Sequence, residues 1–248
     1  MRIESEILQH IRALPIFSGL DASALNVLVS RAQLREFSKG KTLFRQGESL
    51  PKFYLVVEGW VKIFKGSNTG DEAILQMRTN GDALMAPSVF LDIPALANAQ
   101  LVQDTTLLVL PASLIRKQVQ ENGKLAQNVI NSLANYSQDL IQKIEHSQLM
   151  TAIERVGWFL LKLGLEQSQG RAATIRLPYD KSTIASYLDM TPETFSRTLK
   201  QFKNKGFRIQ SGLVTKPTAN ALCGFCDDTL SRHCWLESCT VKAGACSS

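Results

Sequence analysis

Residues 181–205, KSTIASYLDMTPETFSRTLKQFKNK, constrain the fold of this chain more than any other stretch. Two apolar patterns of helical period are separated there by a stop and a start. Ile184, Ala185 and Leu188 form the first pattern, and Phe195, Leu199 and Phe202 the second. Between them stands Asp189-Met190-Thr191-Pro192. Thr191 fits an N-cap, and Pro192 fits the first helical position, where its missing N–H breaks no hydrogen bond. Two short helices joined by so tight a turn match a helix-turn-helix. In that motif the second helix enters the DNA major groove, N-terminal end first. It would present Thr191, Glu193, Thr194, Ser196, Arg197 and Lys200. Arginine can pair bidentately with guanine, glutamate can accept from the cytosine amino group, and serine can do either. Lys200, Lys203 and Lys205 would meet phosphates, which position a protein without reading sequence. The competing reading of these residues alone is a surface helical hairpin with a solvated charged face.

TIASYLDMTPETFSRTLKQFKNKG resembles the helix-turn-helix of the Crp/Fnr family of bacterial transcription regulators. The run from Glu193 to Arg197 carries the resemblance. Its serine before the arginine is closer to the Fnr and nitric-oxide-responsive branches than to the cyclic-AMP receptor. The resemblance implies that Glu193, Ser196 and Arg197 read a half-site related to TTGA, with RNA polymerase as a partner.

The 248 residues suffice for one large or two ordinary domains, and the net charge of +6 is compatible with a polyanionic partner. No apolar run approaches the roughly 18 residues of a membrane span, and the N-terminus has no signal-peptide core. The expectation is a cytoplasmic protein with no membrane partner.

Upstream the pattern has a period of two. Strand-like runs at 42–45, 53–58, 61–65, 73–78 and 100–110, with glycine-bearing turns between several of them, argue for a β-sandwich or jelly roll. RQGE at 45–48 and VVEGWVKIF at 56–64 resemble the β-roll of cyclic-nucleotide-binding-like domains. Cyclic-nucleotide binders hold the ribose with a glutamate and the cyclic phosphate with an arginine. The corresponding stretch here, 81–99, contains neither residue. Burying a phosphate without a cation is costly, so cyclic AMP is not expected. The cluster Leu84, Met85, Val89, Phe90 and Leu91 would suit an apolar or flat ligand such as haem, or would simply be core.

Leu125, Val129, Leu133, Tyr136, Leu140 and Ile144 follow steps of three and four along a helical region. The resemblance implies that this helix pairs in parallel with its twin, giving a homodimer. The alternative is packing on its own β-roll. The expected fold is α+β. A sensory cyclic-nucleotide-binding-like β-roll spans 1–112, a long dimerisation helix 113–150, and a winged helix-turn-helix 151–216. A cysteine-rich tail takes 217–248.

All five cysteines lie in that tail, spaced C-x2-C-x7-C-x4-C-x6-C. Cys223, Cys226, Cys234 and Cys239 supply four thiolates for zinc or an iron–sulfur cluster, with Cys246 or His233 as alternative ligands. A thiol–disulfide switch, free thiols without a role and a chain end outside the native design are the other readings. Two functions compete with a regulator controlled by a redox or gas signal. One is a metal- or redox-dependent enzyme using these cysteines; the other is a cyclic-nucleotide-binding regulatory protein. Against an enzyme, the sequence offers no Ser/His/Asp arrangement, no glycine-rich phosphate loop and no paired carboxylates. The histidines, His10, His146 and His233, are far apart.

Overall fold

The computed structural model describes residue 9 and residues 11–66, 72–168 and 172–231. The chain divides into two compact units, residues 1–142 and 143–248.

In the first unit, α1 (Ala22–Val29) starts at Asp21, whose carboxylate accepts the Ala24 N–H at 2.8 Å. The strands are β1 (Gln33–Phe37), β2 (Thr42–Phe44), β3 (Lys52–Glu58), β4 (Val61–Gly66), β5 (Glu72–Arg78) and β6 (Ala83–Leu84). The short helix α2 (Ala86–Leu91) precedes β7 (Asn98–Leu101) and β8 (Thr105–Pro111). They form two antiparallel four-stranded sheets, ordered β1-β8-β3-β6 and β2-β7-β4-β5. Phe53, Leu55 and Leu107 of one sheet share a single buried core with Val61, Ile63 and Leu101 of the other. This is the expected β-roll. Gly59, at the β3–β4 corner, has φ +109°, and a Cβ there would lie 2.8 Å from the Thr105 Cα. Only glycine fits both constraints.

The helical region expected at 113–150 is two helices, not one. α3 (Ala112–Glu121) and α4 (Gly123–Leu149) are broken at Asn122, which is extended (φ −126°, ψ 106°). Its side-chain oxygen accepts the Leu125 N–H at 2.9 Å and so caps the next helix. The division between the units falls within α4.

The second unit contains α5 (Ala152–Ser168), β9 (Thr174–Arg176), α6 (Lys181–Tyr187) and α7 (Pro192–Asn204), followed by β10 (Arg208–Gln210) and β11 (Leu213–Thr215). A capping box opens α5: the Thr151 N–H donates to Glu154 at 2.7 Å, and the Glu154 N–H returns to the Thr151 hydroxyl at 3.4 Å. The wing is the antiparallel sheet β10-β11-β9. Ser211 and Gly212, both at positive φ, turn its hairpin as a type I′ loop requires.

The chain does not leave this unit after the wing. A 3-10 turn, Cys223–Phe225, and a last short helix, α8 (Asp228–Ser231), follow. Leu222 and Leu230 are buried. Phe225 lies directly on Gly157 of α5, where an added Cβ would come within 3.0 Å of three of its ring atoms. This contact gives a prediction with a sign. Gly157→Ala gains about 0.5–1 kcal/mol of helix stability but overpacks the site by about 1–3 kcal/mol. The variant should be less stable, by up to about 2.5 kcal/mol, in denaturant unfolding. In a Phe225→Ala background the same change should be neutral or stabilising. Equal destabilisation in both backgrounds would show that Phe225 is not what fills the space.

Candidate nucleic-acid interface

The helix-turn-helix owes its shape to local chemistry. The Asp180 carboxylate caps α6 by accepting the Thr183 N–H at 2.8 Å. The turn passes through Asp189 at φ +52°, and the Met190 N–H returns to the Ala185 carbonyl at 3.0 Å. Thr191 caps α7, its hydroxyl accepting the Thr194 N–H at 3.2 Å. Phe195, Thr198, Leu199 and Phe202 bury the inner face of α7. Glu193, Ser196, Arg197 and Lys200 therefore share the opposite, exposed face at i, i+3, i+4 and i+7. The structure brings these four together. Thr191 is exposed, but its hydroxyl serves the cap; Thr194 is half-buried and engages Thr191. The Glu193 carboxyl is held below its ordinary range by its own backbone N–H, then by the Thr191 hydroxyl and by the charge of Arg197. It is thus an ionised acceptor beside a guanidinium donor.

Sequence reasoning missed the grip on the turn. Lys143, from the end of α4, sits 3.7 Å from the Asp189 carboxylate and over the Tyr187 ring, while Arg155 of α5 reaches the Asp189 carbonyl at 3.5 Å. The signal for it was a single acidic residue in a tight turn, which spacing does not pair with distant cations.

The expected dimer stripe divides. Leu125 and Val129 are 1% and 5% exposed, within the core of the β-roll, and Leu133 packs against that core. Tyr136 lies under the Arg78 guanidinium at 4.9 Å, and Leu140 is half-buried. Leu125 and Val129 are thereby removed from any contact with a second copy. Of the six residues only Ile144 is exposed. The outward apolar row is instead Ile130, Ala134, Ser137, Ile141 and Ile144, in steps of four and three, with the isoleucines 57–63% exposed. Asn128, on the inward face, donates to the carbonyls of Ile16 and Ser18 and ties the helix to the chain before α1.

The first unit also holds a cavity of about 460 Å³. Its lining includes Arg78, Asp82, Asn131, Asn135, Tyr136 and Asp139. The Arg78 guanidinium donates to Gln76 at 2.9 Å and lies 3.6 Å from Asp82 and 3.9 Å from Asp139. The cluster considered for haem does not surround this space. Leu84, Met85 and Val89 are core, Phe90 lies tilted against Phe53 with ring centres 6.0 Å apart, and Leu91 is 68% exposed.

In the tail, Cys223 and Cys226 are half-buried thiols. Cys234, Cys239, Cys246 and His233 lie outside the described residues, as does His10. Among the described residues no group of three or more His, Cys, Asp or Glu is placed to hold a metal. His146 is buried against Trp158, with ring centres 4.4 Å apart, and lies 3.6 Å from Asp227. Asp227 also accepts from the Trp158 indole at 2.7 Å and the Leu230 N–H at 2.7 Å. Burial opposes ionisation of Asp227, but these donors and His146 outweigh it and hold the carboxyl below its usual range.

This architecture has known counterparts. A family model described as the cyclic nucleotide-binding domain matches residues 34–122, and the Crp-like helix-turn-helix domain matches residues 154–218. The nitrogen fixation regulation protein FixK of Bradyrhizobium diazoefficiens is 29% identical over 201 residues, covering 79% of this chain and 82% of that protein. The cyclic AMP receptor protein of Thermus thermophilus is 28% identical over 201 residues, covering 81% and 91%. The structure of FixK2 from Bradyrhizobium japonicum, at 22% identity, covers 79% of this chain and 98% of its own with a TM-score of 0.71, a likeness of fold. With the β-roll and the capped helix-turn-helix each matched by its own family model, over more than half of the chain together, this protein belongs to the Crp/Fnr family of DNA-binding transcription regulators.

Proposed function

We propose that this regulator binds DNA as a symmetric homodimer, reads a palindrome of TTGA-related half-sites and answers a redox or gas signal rather than cyclic AMP. The observation that carries the reading is the exposed face of α7. There Glu193, Ser196, Arg197 and Lys200 stand together on a helix anchored from behind by Phe195, Leu199 and Phe202. Such a face can supply an acceptor for cytosine and a fork for guanine. A dimer would set two of these helices roughly 34 Å apart, one turn of DNA. RNA polymerase is the partner that the family resemblance implies. Two features argue against cyclic AMP. The loop at 81–99 supplies no glutamate or arginine, and Arg78 in the cavity already faces two carboxylates. The thiols of the tail support a redox signal. Two of them, Cys223 and Cys226, are half-buried, and the further ligands that a zinc or iron–sulfur site would take lie outside the described residues.

The test is anisotropy with a TTGA-containing palindrome and a scrambled duplex at physiological salt. A preference of about 10³-fold or more is expected, unchanged by cyclic AMP. Equal affinity for the two duplexes would overturn the reading. Lys200→Ala should weaken both duplexes alike and lower the slope of log affinity against log salt by about 1 per half-site.

A further inference from the structure

We propose that Cys223 and Cys226 form a reversible disulfide, a clasp that stiffens the turn by which Phe225 packs on the underside of α7. The pair is built for closure. The Cys226 N–H donates to the Cys223 carbonyl at 3.1 Å, closing a four-residue turn. A turn of this kind keeps its end Cα atoms within about 7 Å, and disulfides span about 4.4–6.8 Å. Both thiols are partly accessible. Gly224, within the turn, has open space around it and lets the backbone adjust to the S–S torsion.

Phe225, also inside the turn, gives the clasp its consequence. Its ring lies on Gly157 of α5 and 5.6 Å from Phe202, one of the residues that anchor α7. Asp227, one residue beyond Cys226, bonds the Trp158 indole at 2.7 Å. Closing the ring restricts the backbone of residues 223–226, which carries Phe225 to its seat and leads directly into Asp227. The oxidant is a small-molecule disulfide such as oxidised glutathione. One thiolate attacks it, forming a mixed disulfide and releasing one thiol. The second cysteine then displaces the other thiol. The two protein thiols lose two protons and two electrons, and the reagent is reduced to two thiols.

The bond is inferred from the turn alone. Only its effect on DNA rests on the redox reading above. The full chain, with Cys234, Cys239 and Cys246 intact, is equilibrated with reduced and oxidised glutathione, digested and mapped by mass spectrometry. Hydrogen exchange is followed over residues 222–231. The expected result is a Cys223–Cys226 bond reversed by reduced glutathione, with exchange in that segment slowed about tenfold on oxidation. Cys226→Ser should stop at the mixed disulfide and show no slowing. Pairing of either thiol with Cys234, Cys239 or Cys246, stable glutathione adducts on the parent chain, or unaltered exchange would overturn the clasp. Affinity for the palindrome is measured on both forms. If the bond closes and affinity stays the same, the clasp stands and the redox control of DNA binding falls.

Discussion

Aspartate at both Ile141 and Ile144 is expected to convert the protein to monomers and to lower its affinity for the palindrome by about 10²-fold or more. Each isoleucine is more than half exposed in the single chain, on the outward row of α4. Burying such a side chain contributes on the order of 1.5–3 kcal/mol, and a parallel pair of helices would bury four. The double change removes that burial and sets four carboxylates against one another across the seam. Specific affinity falls because the second half-site loses the effective concentration that the linked partner supplies. Sedimentation reports the mass, and anisotropy reports the binding. Circular dichroism should show each chain still folded, since neither side chain belongs to the chain's own core. Leu125→Asp makes the contrast. At 1% exposure, its carboxylate would sit inside the β-roll, and the expected result is unfolding of that unit. A dimer that survives the Ile141 and Ile144 changes would place the interface on another face.

The two isoleucines also show where sequence reading stops. Helical period located α4, but the helix has two apolar rows, and period does not say which row meets which neighbour. The row richer in leucine and valine, Leu125, Val129 and Leu133, was legible as hydrophobic and belongs to the chain's own core. The other row contains Ala134 and Ser137, so it looks broken when only large side chains are followed. The helix-turn-helix was legible nearly to the residue, because its caps are local: Asp180, Thr191 and Pro192 act within three positions of themselves. The β-roll was legible as short alternating strands, whereas the pairing of β1 with β8 joins residues more than 60 positions apart. The tail was opaque for the same reason. Phe225 has meaning only beside Gly157, and Asp227 only beside His146 and Trp158.

Arg197→Ala tests the central assignment most directly. The side chain is exposed, so stability should stay within about 0.5 kcal/mol of the parent. A bidentate pair with guanine is worth about 1–3 kcal/mol of discrimination. A dimer uses two copies, so affinity for the palindrome should fall by about 2–6 kcal/mol, while affinity for scrambled DNA falls far less. The loss should be confined to one base pair of each half-site. Substituting that pair should penalise the parent and leave the variant almost indifferent. Arg197→Lys keeps the charge and loses the planar fork, and it should recover scrambled-DNA affinity but little of the discrimination. Glu193 sharpens the expectation. Its carboxyl is held below its ordinary range by its own N–H, Thr191 and Arg197, and as an acceptor it can meet a cytosine amino group but not the guanine O6/N7 edge. Removing Arg197 leaves that acceptor in place. The variant should retain selectivity at the position Glu193 faces while losing it at its own. Equal losses on the palindrome and on scrambled DNA would make Arg197 a phosphate contact and move the reading of bases to its neighbours on α7.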